Sequence, residues 1–236
     1  MANLATMPPL VIAQADLASF GAEWTKRGGS LGRTPPFSSG DLGRLFDTAV
    51  GQALSALLGS VPVVVPNGNA LTPAVADAVE VGPVRIIGGV RPQNFDVGYR
   101  PDGVRFAFDS KTLNDANSVR KNWQNMVNDL ATEATTVHSR FPHAVVALMV
   151  IVPVPCLAEP QRAALTETLE RLARRISVED PVYMAETISL VLWNPADGSL
   201  SATTPDPDSP LRIEKFSSQV ENVYVRRYKG LPPHTE

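Results

Sequence analysis

Two aspartates and a lysine are the residues whose types and spacing best suit a chemical role in this chain. Asp96 precedes Asp109 by thirteen residues, and Lys111 follows Asp109 by two. Carboxylate oxygens are the ligands that hard divalent cations such as Mg²⁺ take in proteins. A bound Mg²⁺ lowers the pKa of its water and neutralises charge on a phosphate, and a neighbouring lysine stabilises developing negative charge. The set therefore predicts metal-dependent hydrolysis of a phosphodiester bond.

A β-hairpin over residues 94–111 is the element that would bring these side chains together. Apolar residues alternate with period two on both sides of Asp102-Gly103, as they do along half-buried strands. Asp-Gly between such arms is the strongest short-range signal for a two-residue type I′ turn, which needs positive φ at both positions. The alternating apolar positions are Phe95, Val97, Tyr99, Val104, Phe106 and Phe108.

The register of this hairpin decides which side chains share a face. A two-residue turn pairs Pro101 with Val104 and so places Asp96 directly opposite Asp109. Lys111 then lies on the same face, roughly 7 Å further along the strand. Like charges directly opposite repel, so we expect a cation at this point, held by Asp96, Asp109 and the backbone carbonyl of Ser110. A three-residue loop would instead turn Asp96 away from Asp109, and the structural alternative is an ordinary charged surface hairpin.

The helix before the hairpin supplies a further carboxylate. Apolar residues recur at i, i+3 and i+4 from Ser39 to about Leu58, with Ser39 or Asp41 as the N-cap. Asp47 is the only acidic residue in the interior of this helix. We therefore expect Asp47 to assist at the proposed metal site.

The helix after the hairpin carries candidate DNA contacts. Asn114 or Asp115 would cap it, and it would run to about Ser139. One side is apolar, and the other is rich in amides and cations and begins a few residues from the carboxylates. Such a face contacts base edges and phosphates in DNA-binding proteins, although an ordinary solvated surface has the same composition. The candidates are Asn114, Asn117, Arg120, Lys121 and Gln124.

The remaining elements complete an α/β pattern. Short strands are predicted at Val61–Val65 and Val84–Ile87, and a strand covered on both faces at Ala144–Val152. A short helix is predicted at Asp16–Trp24 and an amphipathic one at Glu159–Ile176. Further strands are predicted at Glu186–Trp193 and at Val220–Tyr228. The last ends in a basic and aromatic cluster, which suits nucleic acid and an ordinary charged strand end equally.

Length and composition favour one domain over residues 1–236, with a core at about residues 40–195. The chain has 236 residues, is 44% hydrophobic and carries a net charge of −3, so any contact with nucleic acid must come from local basic patches. The single cysteine, Cys156, excludes a disulfide framework and a cysteine-based zinc site. The sequence shows neither a signal pattern nor a run of about 18 apolar residues, which predicts a cytoplasmic protein without a membrane segment.

These residues resemble a known nuclease family. Phe95-Asp96 followed by Asp109-Ser110-Lys111 resembles the metal-binding signature of the PD-(D/E)XK nuclease superfamily, which includes many type II restriction endonucleases. The resemblance covers residues 40–155 and implies a mixed central β-sheet flanked by helices, in the order αβββαβ. Family members often add a carboxylate from the preceding helix, the position of Asp47. Phe95 replaces the proline of the signature, at a position that varies widely in the family.

The resemblance implies a Mg²⁺-dependent endonuclease that acts on double-stranded DNA. Some repair members carry Gln-X-X-X-Tyr on the next helix, but here Asn128 follows four residues after Gln124, which favours a sequence-specific type II restriction endonuclease. Cleavage of both strands of a symmetric site predicts a homodimer. The alternatives are a phage, repair or structure-specific nuclease of the same superfamily, and a non-catalytic DNA-binding module with a relic site.

Overall fold

A computed structural model describes residues 4–68 and 70–234, apart from the side chain of Arg120. The strands form one six-stranded sheet in the spatial order β1-β2-β3-β4-β5-β6. The helices are α1 (Gln14–Lys26), α2 (Ser39–Leu57), α3 (Val119–His138), α4 (Glu159–Leu172) and α5 (Ile213–Tyr228). The strands are β1 (Val63–Val64), β2 (Val79–Ile87), β3 (Pro92–Tyr99), β4 (Phe106–Thr112), β5 (Val145–Pro153) and β6 (Thr187–Trp193).

The sheet is mixed, as the sequence predicts. β2, β3 and β4 are antiparallel neighbours, whereas β4, β5 and β6 run parallel, and the short β1 lies parallel to β2 at the edge. From α2 to β5 the chain order is helix, four strands, helix and strand, because the two-residue β1 precedes the three strands of the expected order αβββαβ. The expected α/β class, a mixed central sheet flanked by helices, is confirmed.

Helices cover both faces of the sheet near β4. On one face, Phe108 makes an edge-to-face ring contact with Phe216 of α5, with the ring centroids 5.9 Å apart. Ser110 lies on the same face of β4, because it is two residues further on, and it approaches Gly43 of α2. On the other face, α3 packs beside α4. Alternate residues of β4 therefore point towards different helices.

The N-terminus of α2 is fixed by a capping box. The Ser38 hydroxyl accepts a hydrogen bond from the backbone N–H of Asp41, and the Asp41 carboxylate accepts one from the backbone N–H of Ser38. The N-cap is thus Ser38, one residue before the predicted start, and Asp41 is its capping partner. The buried stripe that holds this helix against the sheet is Leu42, Phe46, Val50, Leu54 and Leu57.

The turn between β3 and β4 differs from the predicted one, although the register is the predicted one. Tyr99 pairs with Phe106, so residues 100–105 form a six-residue connection, and only Gly103 of the Asp102-Gly103 pair has a positive φ. Two ion pairs hold the side chains of the arginines at the ends of this connection. Arg100 binds the fully buried Glu80, with Nε 2.7 Å from Oε2, and Arg105 binds the Asp102 carboxylate.

The predicted strand at Val220–Tyr228 is wrong, because these residues belong to α5. Their valines and tyrosines favour strands when the segment is read alone. Read from Ile213 onwards, the buried side chains recur with helical spacing. The buried apolar residues of α5 are Phe216, Val220, Val223, Tyr224 and Tyr228.

Element boundaries also move. α3 begins at Val119 rather than near Asn114, α4 ends at Leu172 rather than Ile176, and β2 starts at Val79, five residues before its predicted start. A β-bulge between Val81 and Val84 explains why period-two reading missed the first half of β2. No helix in the described part of the chain is long and apolar enough to span a membrane.

Candidate active site

The site lies where β3 and β4 separate. Their ladder runs from Tyr99 and Phe106 to Val97 and Phe108 and ends there. Beyond that pair, β3 continues with β2, and β4 continues with β5. Asp96 and Asp109 follow in the continued register and are therefore the first residues of the open part.

Asp96 reaches across this opening to β4. Its Oδ2 atom accepts hydrogen bonds from the backbone N–H of Ser110 at 2.9 Å and from the Ser110 hydroxyl at 3.1 Å. The backbone N–H of Leu113 donates to the Ile151 carbonyl. The odd-numbered residues of β4 therefore direct their backbone N–H and carbonyl groups towards β5. The N–H and carbonyl of Ser110 consequently point towards β3. This orientation places the Ser110 carbonyl on the side of Asp96, as the predicted ligand set requires.

Asp47 joins the same cluster from α2. The Ser110 hydroxyl lies 2.8 Å from Asp47 Oδ1, and it has one proton to share between Asp47 and Asp96. Gly43, one turn earlier in α2, permits this approach, because a Cβ there would lie 3.2 Å from the Ser110 hydroxyl oxygen. The predicted assistance from α2 thus has a geometric basis in the Ser110 bridge.

The electrostatics of this cluster disfavour the charged forms of its carboxyl groups. Burial, and then the neighbouring charge of Asp96, raise the pKa of Asp47 to about 8. Burial, and then the charges of Glu133 and Asp96, also raise the pKa of Asp109 well above its usual range. Asp96 therefore lies close enough to act on both carboxyl groups, and the region holds more negative charge than its surroundings stabilise.

Lys111 lies on the opposite face of β4 from Ser110. Its ammonium group forms an ion pair with Asp109 and a second one with Glu133 of α3, where Nζ lies 2.6 Å from Oε1. Burial alone would lower the pKa of Lys111, but the charges of Asp109 and Glu133 raise it. Lys111 therefore stays protonated beside the opening.

Sequence reasoning missed Glu133. Its side chain is 4% exposed, and its carboxyl group interacts with both Lys111 and Asp109. It follows Leu130 by three residues and Met126 by seven, so it lies on the apolar stripe of α3. An acidic residue within an apolar stripe is the signal that could have found it.

The predicted DNA contacts fall into two groups. Asn114 is buried, and its side chain accepts a hydrogen bond from the Leu31 backbone at 3.0 Å and donates one to the Ser39 hydroxyl at 2.7 Å. Asn114 therefore ties the segment after β4 to the loop before α2. Near the start of α3 the exposed candidates are Asn117, Lys121 and Gln124, whereas the Arg120 side chain lies outside the described residues.

The side chains near the opening can be compared with the ligands that the predicted Mg²⁺ site requires. Across residues 4–68 and 70–234, no group of three or more histidine, cysteine, aspartate or glutamate side chains is placed to hold a metal ion. The predicted set needs only the carboxylates of Asp96 and Asp109 and the Ser110 carbonyl, with water completing the shell. The raised pKa values of Asp109 and Glu133 show that negative charge is unfavourable in this region, which a nearby positive charge would relieve.

Comparison with known proteins adds no relative. No family model, no curated protein and no solved structure matches this chain. The resemblance to PD-(D/E)XK nucleases therefore depends on two features of the chain itself. These are the element order from α2 to β5 and the placement of Asp96 on β3 and of Asp109-Ser110-Lys111 on β4.

Proposed function

We propose that this protein is a Mg²⁺-dependent DNA endonuclease. The observation that carries the proposal is the gathering of Asp47, Asp96, Asp109 and Lys111 at the point where β3 and β4 separate. Three acidic side chains at one opening, with raised pKa values for two of them, suit a divalent cation better than they suit a structural role.

The residues divide the work of phosphodiester hydrolysis. Asp96, Asp109 and the Ser110 carbonyl would hold Mg²⁺, which supplies charge neutralisation at the phosphate and a more acidic water. Lys111 stabilises negative charge that develops on the attacked phosphate, because its ammonium group stays protonated next to the opening. Asp47 orients Asp96 through the Ser110 hydroxyl, since both carboxylates contact that one group.

Double-stranded DNA is the substrate that these surroundings favour. Asn117, Lys121 and Gln124 are exposed near the start of α3, shortly after Lys111 in the chain. Amide and ammonium groups are suited to base edges and phosphates. A sequence-specific type II restriction endonuclease would act as a homodimer on a symmetric site in the cytoplasm, and its DNA binding should weaken steeply with salt.

Digestion of a fully sequenced plasmid, with Mg²⁺ and separately with EDTA, tests the proposal. Discrete fragments that appear only with Mg²⁺ support a restriction endonuclease. A smear, or cleavage confined to branched or single-stranded regions, indicates a structure-specific or repair nuclease instead. The absence of cleavage on both methylated and unmethylated DNA would leave a non-catalytic DNA-binding module and remove the enzymatic proposal.

Two variants assign the cleavage to this site. Asp109→Asn keeps the side-chain shape but removes a charge, and Lys111→Met keeps the stem but removes the ammonium group. We expect each to slow cleavage by about a hundredfold or more, since each removes a group that acts on the reacting phosphate. Asp129→Asn is the matched control, because Asp129 is an exposed carboxylate on α3, whereas the ion-pair partners of Lys111 among the described residues are Asp109 and Glu133. Equal activity in all three variants would place the chemistry elsewhere.

A further inference from the structure

Glu133 occupies a position that the proposed ligand set leaves without a role. It projects from the middle of α3 onto the face of β4 that carries Lys111. One of its oxygens contacts the Lys111 ammonium group at 2.6 Å, the other is buried, and the carboxyl group also interacts with Asp109. A buried carboxylate beside a second buried carboxylate is costly to retain for packing alone.

Lys111 has two carboxylate partners, and the proposed site competes for one of them. Asp109 contacts the ammonium group and is also a proposed cation ligand. An oxygen committed to a cation is a weaker partner for an ammonium group, because two positive charges then share one acceptor. Glu133 is the partner that Lys111 retains in that state, and the rigid α3 backbone fixes its position.

We propose that Glu133 is a positioning residue that holds the Lys111 ammonium group at the opening when Asp109 binds a cation. The inference rests on the proposed nuclease function. It assigns Glu133 no contact with the substrate: Glu133 acts by holding Lys111, although its charge also acts on the neighbouring Asp109. The charged groups in contact with this ammonium group are Asp109 from β4 and Glu133 from α3. The charge of Asp96 acts on Asp109, and that of the exposed Asp129 acts on Glu133.

Glu133→Gln is the informative variant. It preserves side-chain shape and removes a negative charge from a crowded cluster, so the fold should be retained. Without Glu133, Lys111 depends on Asp109 and competes with Mg²⁺ for it. We therefore expect kcat to fall about tenfold, KM for DNA to stay unchanged, and the Mg²⁺ concentration for half-maximal rate to rise severalfold. Glu133→Asp, which keeps the charge, should recover part of the rate, and Asp129→Asn should match the wild type.

A second measurement follows Lys111 without requiring cleavage. The chain has five lysines, at positions 26, 111, 121, 215 and 229, so a ¹⁵N spectrum of the side-chain ammonium groups is simple. Lys111→Met identifies the Lys111 signal. In saturating Mg²⁺ we expect a sharp Lys111 signal in the wild type, and a broadened or absent one in Glu133→Gln.

The two measurements separate the inference from the proposed function. An unchanged Lys111 signal in Glu133→Gln, or an unchanged kcat and Mg²⁺ requirement in a wild type that cleaves DNA, overturns the positioning role. If the wild type cleaves no DNA but Glu133→Gln loses the Lys111 signal in Mg²⁺, the nuclease proposal fails and the role of Glu133 in holding Lys111 stands.

Discussion

The Asp96 carboxylate accepts the backbone N–H of Ser110 at 2.9 Å, at the step where the β3–β4 ladder has ended. A side chain thus satisfies a backbone donor that the neighbouring strand no longer reaches. The same oxygen contacts the Ser110 hydroxyl, which links it to Asp47. This single contact joins α2, β3 and β4 and fixes where the acidic side chains meet.

Asp47→Asn should stabilise the cation-free protein at pH 8. Asp47 titrates near 8 in the folded protein, far above its ordinary value of 3.8. A raised folded pKa means that the folded state binds more protons between about pH 4 and pH 8, so wild-type stability falls as pH rises through that window. One pKa unit corresponds to about 1.4 kcal/mol, so the loss amounts to several kcal/mol.

Urea denaturation of wild type and Asp47→Asn at pH 5 and pH 8, in EDTA, measures this effect. The variant should be more stable than the wild type at pH 8, and the difference should be several kcal/mol smaller at pH 5. A wild-type stability that stays flat from pH 5 to pH 8 contradicts the burial of a strained carboxylate at this position.

Mg²⁺ should raise the melting temperature of the wild type in the absence of DNA. A ligand that binds only the folded state stabilises it by about 2.7 kcal/mol at a hundredfold excess over Kd. For a chain of this length each kcal/mol shifts the melting temperature by about 2–4 °C. Asp96→Asn and Asp109→Asn should lose the Mg²⁺-dependent shift, whereas Asp129→Asn should keep it. A shift of equal size in all four proteins would place the cation at another site.

Lys111→Met should destabilise the protein at neutral pH. Its removal leaves Asp109 and Glu133 buried next to one another without a counter-ion, and breaking a buried ion pair costs about 3 kcal/mol. The pKa values of both carboxyl groups are already raised, by burial first and, for Asp109, by the charge of Glu133. Protonation at lower pH then relieves their repulsion.

The difference in unfolding free energy between Lys111→Met and wild type should therefore shrink as pH falls from 7 towards 4. Parallel urea titrations at several pH values give that difference directly. A constant difference over this range would mean that Lys111 stabilises the fold through packing of its stem rather than through its charge.

Glu186→Gln should cost stability and leave the proposed chemistry intact. Glu186 is fully buried at the start of β6 and contacts Arg175 at 3.0 Å, Arg227 at 2.8 Å and His138 at 3.1 Å. Burial would raise its pKa, but the hydrogen bond and charge of His138 and the charge of Arg227 hold it below the usual range. Removing this charge leaves two buried arginines without their carboxylate, at a cost of about 3–5 kcal/mol.

Calorimetry of Glu186→Gln measures the loss, and the Mg²⁺-dependent shift in melting temperature measures the site. We expect a lower melting temperature in EDTA with an unchanged Mg²⁺ increment. The pKa of Glu186 is lowered on folding, so its contribution is present above the unfolded value and disappears as pH falls. If Glu186→Gln loses the Mg²⁺-dependent shift as well as stability, the Glu186 ion pairs and the proposed cation site depend on each other.

The sequence predicts the fold around the opening because local patterns agree there with the tertiary structure. Period-two alternation identifies β3 and β4, and the apolar stripe identifies α2. The predicted register between β3 and β4 is correct although the predicted two-residue turn is not. The buried side chains of Tyr99 and Phe106 fix the pairing. The turn was misread because Glu80 and Asp102, one of them distant in the chain, bind the arginines that flank it.

The candidate site was predicted in part. Asp96, Asp109 and Lys111 follow from spacing alone, but the split between the two faces of β4 does not. Asp47 and Asp96 contact the Ser110 side chain on one face of β4, whereas Lys111 contacts Glu133 on the other face. Contacts between α3 and β4 depend on how the helix packs on the sheet, which a single sequence does not specify.

The short ladder between β3 and β4 has a dynamic consequence. Three residue pairs join β3 to β4, whereas seven join β4 to β5, so we expect β4 to separate more readily from β3 than from β5. Beyond the last residue pair, the Asp96 carboxylate on β3 holds β4 through the backbone N–H of Ser110. A cation bound by both Asp96 and Asp109 would also connect β3 to β4, and we expect it to slow hydrogen exchange at the Ser110 amide. Cation binding and the local stability of the β3–β4 pairing would then be coupled at Ser110.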